Sequence, residues 1–139
     1  MKENSVSYVL DTSAWLTLIE DEGWAEIVQS LLEKAGAGSI KIFTSFMSFM
    51  EVFYITLQER DIDEAKIRLN LMGFLPITRV ESTEPLGLIA SKLKAGYRLS
   101  VADAWIAALA EEKGSILVHK DPEFEQLEDT LSVQKLPYK

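Results

Sequence analysis

The chain has 139 residues, 47% hydrophobic and 26% charged, with no cysteine and a formal net charge of -8. That length fits one compact domain over residues 1–139, with a real core and no room for a second domain; the lack of cysteine excludes disulfide and thiolate–metal chemistry and fits a reducing cytoplasm. The acidic balance argues against a general nucleic-acid coat protein, which would be strongly basic. It leaves room for an enzyme that meets a few phosphates through a bound cation, or for a basic partner segment.

The opening stretch MKENSVSYVLDTSAW has one lysine and a short apolar run, unlike a signal peptide, and no membrane-length apolar segment follows. A soluble, cytoplasmic chain is therefore expected. Residues 6–10 (VSYVL) are rich in β-formers and predict a first strand ending at Asp11. Helical apolar spacing predicts helices over 13–20 and 24–35, the second stopped by Gly36 and Gly38. A second strand is predicted over 40–43, after which Thr44 or Ser45 caps a helix over 46–58. Asp61 opens a helix over 63–72, and a strand follows at 76–80. Pro85 suits the first turn of a helix reaching Ala95, and Ser100 caps the helix 101–113 that Gly114 ends. A strand at 116–119, a short helix at 122–127 and a closing strand at 133–136 complete the pattern. Strands alternating with helices predict an α/β/α sandwich around a mostly parallel sheet of about five strands.

Four acids fall at informative places. Asp11 directly follows the first strand and Asp121 follows the fourth; in open parallel sheets ligands bind beyond the carboxyl ends of strands. Glu51 lies among Met47, Phe49, Met50, Val52, Phe53 and Tyr54, where a lone carboxylate is costly unless paired, exposed or bound to a cation. Asp103 interrupts the equally apolar SVADAWIAALA. Each has a plain alternative: Asp11 as a helix cap, Asp103 as the acid of a capping box begun by Ser100, Asp121 as a turn residue before Pro122, Glu51 as an exposed helix residue. Together they suggest one convergent site. Carboxylates about 4 Å apart repel by roughly 4 kcal/mol per pair at an effective dielectric near 20, so such a cluster needs a cation or bound protons. An all-oxygen donor set favours Mg²⁺ or Mn²⁺ over zinc, and that ion suits attack of water on a phosphodiester.

The stretches VLDTSAW (9–15), TSFMSFMEVFYITL (44–57), LSVADAWIAALA (99–110) and ILVHKDPEFEQL (116–127) resemble, in order and spacing, the PIN-domain family and its VapC-type toxins. The resemblance covers essentially the whole chain. It implies a catalytic, metal-holding quartet of Asp11, Glu51, Asp103 and Asp121 in a Mg²⁺- or Mn²⁺-dependent ribonuclease that cuts single-stranded regions of RNA. It also implies a homodimer, and an antitoxin whose C-terminal segment, often carrying a basic residue, lies over the site. Ser13 matches a small polar residue that supports the first Asp, although helix capping is an equal reading. His119 stands where the family commonly has Thr or Ser; it either orients water or phosphate or is a hydrogen-bonded strand-end histidine.

Lys92, Lys94 and Arg98 surround the turn into the Asp103 helix and are candidate RNA phosphate contacts, or a solvated helix end. Trp15, Leu16 and Ile19, with Phe46, Phe49 and Phe53, either line an antitoxin groove or dimer face or belong to the core; Trp105 reads as core rather than a base-stacking platform. The competing functions are a non-catalytic binding module of the same fold and an RNA-processing nuclease without a toxin role. A haloacid-dehalogenase-like phosphatase fits poorly, because Ser13 stands where its second Asp would be. A receiver domain lacks its acidic partner beside Asp11, and no Gly-rich loop for a dinucleotide follows the first strand.

Overall fold

The computed structural model describes residues 6–138. Strands β1 (Ser7–Leu10), β2 (Lys41–Ser45), β3 (Thr78–Val80), β4 (Ile116–His119) and β5 (Val133–Lys135) form one sheet in the order β3-β2-β1-β4-β5. All four pairings are parallel, so helical crossovers must connect the strands. They are α1 (Thr12–Ile19), α2 (Ala25–Gly36), α3 (Phe46–Glu59), α4 (Ile62–Phe74), α5 (Glu84–Gly96) and α6 (Val101–Lys113), with a 3₁₀ turn at Pro122–Leu127 before β5. Among the described residues no helix is long and apolar enough to cross a membrane.

The sheet is covered on both faces, which is why β1 and β4 read as continuous apolar runs instead of alternating. Val9 and Leu117 point into a core shared with Leu86 and Leu93 of α5, Ile106 and Leu109 of α6, and Phe124. Their neighbours Leu10 and Val118 point to the other face, against Trp15 of α1, Val28 and Leu32 of α2, and Val52 of α3. Burying Val9, Leu10, Leu117 and Val118 fully from solvent contributes roughly 2 kcal/mol per side chain, and it fixes where both strands end.

The chain leaves β1 toward β2 on one side and later returns to place β4 on the other. That reversal opens a crevice beyond the carboxyl ends of β1 and β4, the switch point of an open α/β sheet. Residues 11 and 120–121 border it. A buried Arg68 on α4 helps set the walls: its guanidinium meets Glu20 Oε2 at 2.9 Å, Glu64 Oε2 at 3.3 Å and Thr56 Oγ1 at 3.2 Å, tying the α3–α4 pair to the end of α1.

Several boundaries differ from the sequence expectation for local reasons. The second strand runs on through Thr44 and Ser45, because both keep pairing with β3 (Thr44↔Arg79, Ser45↔Val80), and Ser45 rather than Thr44 caps α3 by accepting from Met47 N–H. Helix α2 starts after Trp24, whose left-handed φ of 77° breaks the helical path there. Gly36 is still helical and Gly38, with φ 83°, makes the turn. Helix α4 continues to Phe74. The expected short helix at 122–127 is 3₁₀, and the closing strand stops at Lys135.

Candidate active site

Each of the four acids arrives on a different element. Asp11 is the N-cap of α1: its Oδ2 accepts from the backbone N–H of Ser13 at 2.9 Å and from the Ser13 hydroxyl. The cap reading of Asp11 is thus correct for one oxygen only. The other, Oδ1, is sealed from solvent and has no hydrogen-bond partner among the described residues. A buried carboxylate oxygen left in that state is unfavourable unless a proton or a cation meets it.

Asp103 departs from the capping box that its spacing suggests. Ser100 Oγ accepts from Asp103 N–H at 3.1 Å, which is half of the box. The reciprocal bond to Ser100 N–H comes instead from Glu123 Oε1 at 3.4 Å. The Asp103 carboxylate, buried to 7% exposure, is released toward the crevice. Ligand oxygens of Asp103, Asp121 and Glu123 lie within 4.8 Å of one another. Asp121 sits beyond β4 and caps the 3₁₀ turn, its Oδ1 accepting from Glu123 N–H at 3.0 Å. Glu51 reaches in from the second turn of α3 and accepts a 2.6 Å bond from the Thr12 hydroxyl.

Only Asp103 and Asp121 of the four stand at metal-ligand spacing, with Glu123; Asp11 and Glu51 lie outside it but within reach of their charges. Burial pushes the Asp11 carboxyl up to about 7, against the pull of its Ser13 bonds, and the charges of Glu51 and Asp121 raise it further. Burial raises Glu51 as well, opposed by the Thr12 bond and aided by Asp121. Asp103 is driven far above the carboxylate range by burial, by its bond to Glu123, and by the charges of Asp11 and Asp121. Without a cation, Asp103 therefore keeps its proton at neutral pH and Asp11 is only partly ionised.

Ser13 has both of the roles open to it. Its N–H completes the cap, and its hydroxyl donates to Asp11 while accepting from Lys120 N–H at 2.8 Å, which stitches the end of β4 to the start of α1. His119 is the strand-end histidine of the plainer reading. Its ring is fully buried, tilted against Phe124 at 5.2 Å, and Nδ1 accepts from Asp121 N–H at 3.1 Å. Burial lowers its pKa, so the ring is neutral with its proton on Nε2, and it holds the turn that carries Asp121 without entering the crevice.

Of the basic candidates, Arg98 stands nearest to the acids. Its backbone N–H donates to Gln126 Oε1 at 2.8 Å and its carbonyl accepts from Gln126 Nε2 at 3.1 Å, so it is pinned to the turn that bears Glu123. Lys92 and Lys94 are exposed on α5; Lys94 borders an open cavity of about 320 Å³ floored by Trp105, between α5 and α6. Trp105 is half-buried and meets Phe46 edge-on at 5.2 Å. Trp15 and Phe49 belong to the core, but Phe46, Phe49 and Phe53 also line an open groove of about 520 Å³ with Met50 and Tyr54. Ile19 lines a separate groove of about 490 Å³ with Leu18, Leu32, Leu71 and Leu75.

Glu123 and Thr12 were not singled out from the sequence. Glu123 follows Asp121 by two positions in DPEFE, a spacing that reads equally well as a solvated turn. Thr12 adjoins the first acid in DTS, and only the fold brings it to Glu51, 39 residues away.

A fully parallel sheet with Asp103, Asp121 and Glu123 grouped at its switch point defines an α/β protein with an acidic cluster beyond its strand ends. The chain belongs to the PIN domain family, whose model matches residues 8–129. Solved structures with this fold include VapBC2 from Rickettsia felis bound to a DNA fragment from its promoter, 13% identical with a TM-score of 0.76 over 95% of this chain and 100% of that one. VapBC-1 of nontypeable Haemophilus influenzae is 18% identical with a TM-score of 0.69, covering 94% and 98%. Mycobacterium tuberculosis VapC20, a sarcin–ricin loop cleaving toxin, is 16% identical with a TM-score of 0.67, covering 86% and 93%. Among curated proteins there is no match.

Proposed function

We propose that this chain is a metal-dependent endoribonuclease, with Asp11, Glu51, Asp103 and Asp121 as the catalytic carboxylates, and that it is the toxin of a cytoplasmic toxin–antitoxin pair. The observation that supports the reading is the close group of Asp103, Asp121 and Glu123, with Asp11 and Glu51 outside that spacing but near enough to feel its charges, and with one Asp11 oxygen sealed and unpartnered among the described residues. The donor set is all oxygen, which fits Mg²⁺ or Mn²⁺, and Glu123 stands ready to add a fifth carboxylate. When bound, such an ion polarises a phosphodiester and makes water an effective nucleophile at neutral pH.

The protein's part is to hold the acids and the RNA. Ser13 and the His119-braced turn fix Asp11 and Asp121, and Asp103 and Glu123 close the opposite wall. Lys92, Lys94 and Arg98 supply phosphate contacts that a chain of charge -8 otherwise lacks. Arg98→Ala is expected to raise KM for RNA several-fold without moving the cut positions, since phosphate contacts position the strand and do not read sequence. A titration of cleavage against RNA concentration checks this.

Both VapBC structures are of toxin–antitoxin pairs, which supports a protein inhibitor for this chain too. The net negative charge suits a basic inhibitor segment. The two apolar grooves, one on α3 and one between α1, α2 and α4, suit a homodimer face and an antitoxin helix. The test is incubation of the purified chain with a pool of structured RNAs. Cutting that requires Mg²⁺ or Mn²⁺ and stops with excess EDTA supports the nuclease. A folded, inhibitor-free chain that cuts nothing would favour a binding module of the same fold. Growth arrest on expressing the chain alone supports the toxin role, and unimpaired growth with RNA cutting in vitro would favour RNA processing.

A further inference from the structure

Three hydroxyls in the helices of this protein satisfy themselves locally. Thr17 Oγ1 donates to Ser13 O at 2.9 Å, Thr56 Oγ1 to Val52 O at 2.7 Å, and Ser91 Oγ to Gly87 O at 2.8 Å, each to the carbonyl four residues back. Thr12 makes no such bond. It is the first residue of α1, and the residue four positions before it, Tyr8, lies in β1. Its hydroxyl, on a side chain 5% exposed, turns instead to α3, meeting Glu51 Oε1 at 2.6 Å and Ser48 Oγ at 2.9 Å.

A threonine hydroxyl has one proton to give and two acceptor positions. The shorter contact, to a carboxylate, takes the proton, because charge-assisted O–H···O⁻ bonds are the stronger kind. Ser48 Oγ, fully buried in the first turn of α3, is the second acceptor within reach of the same proton. The bond that bears on the crevice is therefore the one from Thr12 to Glu51. Glu51 otherwise stands among apolar neighbours on a half-exposed helix face, free to swing into water.

From this geometry we infer that Thr12 is a positioning residue: its hydroxyl, donated to Glu51 Oε1, holds that carboxylate in the crevice and so sets the centre's affinity for a divalent cation. The inference rests on the carboxylate-centre reading above, and nothing in the family match or the compared structures assigns this residue a role. Groups that orient the ligands of a metal centre change its affinity by about 10- to 100-fold when removed.

The experiment is Mn²⁺ binding by calorimetry, with RNA cleavage in parallel, on wild type, Thr12→Val, Thr12→Ser, Ser48→Ala and Glu51→Gln. Thr12→Val is expected to weaken Mn²⁺ binding about tenfold or more and to lower kcat while KM for RNA stays near wild type. Thr12→Ser restores both, and Ser48→Ala binds Mn²⁺ near wild type, because it removes only a competing acceptor for the Thr12 proton. A Thr12→Val protein that binds Mn²⁺ like wild type, or a serine that fails to rescue it, overturns the inference. Glu51→Gln separates the two levels. If it too binds Mn²⁺ like wild type, the carboxylate-centre reading has failed; if it loses binding while Thr12→Val does not, only the role of Thr12 has. Thr12→Ala, which cannot overpack the site, is measured alongside. If both Thr12→Val and Thr12→Ala fail to fold, Thr12 is a folding residue and the inference falls.

Discussion

Asp103→Asn is expected to do two opposite things: abolish RNA cutting and make the metal-free protein more stable. The loss should be about 100-fold or more, the scale on which removing one electrostatic group at a reacting centre is felt. The gain in stability follows from the proton that Asp103 retains. Burial, the bond to Glu123 and two neighbouring acids raise its folded-state pKa far above 3.8, so at pH 8 the folded carboxyl stays protonated while the unfolded one ionises. Folding must then take up a proton from a solution that holds few, an expense that grows with pH until the folded pKa is reached. Asparagine avoids it, and its amide can still donate where the carboxylic acid did. Thermal melts in EDTA should therefore show Asp103→Asn several degrees above wild type at pH 8, with a smaller gap at pH 5. A variant that melts lower at both pH values would mean that Asp103 is a structural cap and no part of a strained cluster.

The second large effect is the pH dependence of the wild type itself. Burial pushes the folded Asp11 carboxyl up to about 7, against an ordinary value of 3.8. A raised carboxylate favours the folded state fully below about 3.8, and that contribution is lost as pH climbs through about 7. The full change for a shift of this size is on the order of 4 kcal/mol. Metal-free protein should thus lose melting temperature steadily between pH 5 and pH 8. Saturating Mg²⁺ or Mn²⁺ should reverse the loss at the upper end, since a cation that binds only the folded state stabilises it by mass action. A melting temperature flat across this range in EDTA, or insensitive to both metals at pH 8, would contradict the picture of buried acids awaiting a cation.

The fold was largely legible because its signals were local and agreed with one another. Residues 101–113 and 116–119 are bounded by Ser100, Gly114 and a pure apolar run, and both elements lie where those signals place them. The end of β2 was less legible: Thr44 and Ser45 read as caps, and only pairing with β3 shows that they are also strand. Trp24 offered no sign of a left-handed backbone, because nothing in its side chain calls for one.

The positions of the four acids could be read because each breaks a pattern or ends a strand. Their surroundings could not. Asp103 satisfied the spacing of a capping box, yet Glu123 occupies the bond that the box would have used, a substitution across 23 residues of chain. His119 read as a residue that orients water or phosphate or, by preference, as a plain hydrogen-bonded strand-end histidine, and the pleat of β4 puts it on the side of Leu117 and Phe124, fully buried. Thr12 meets Glu51 and Ser48 only once α1 and α3 are packed, which no spacing in the sequence encodes.

The most direct test of the central claim, that these acids form a cation centre, is a calorimetric titration of Mn²⁺ into the metal-free protein at pH 7, repeated in buffers of different ionisation enthalpy. The account predicts saturable binding that releases protons from the centre, because Asp103 and part of the Asp11 population must give theirs up, with binding lost in Asp11→Asn and Asp103→Asn. Absence of binding, or binding that releases no protons and survives both substitutions, would contradict it.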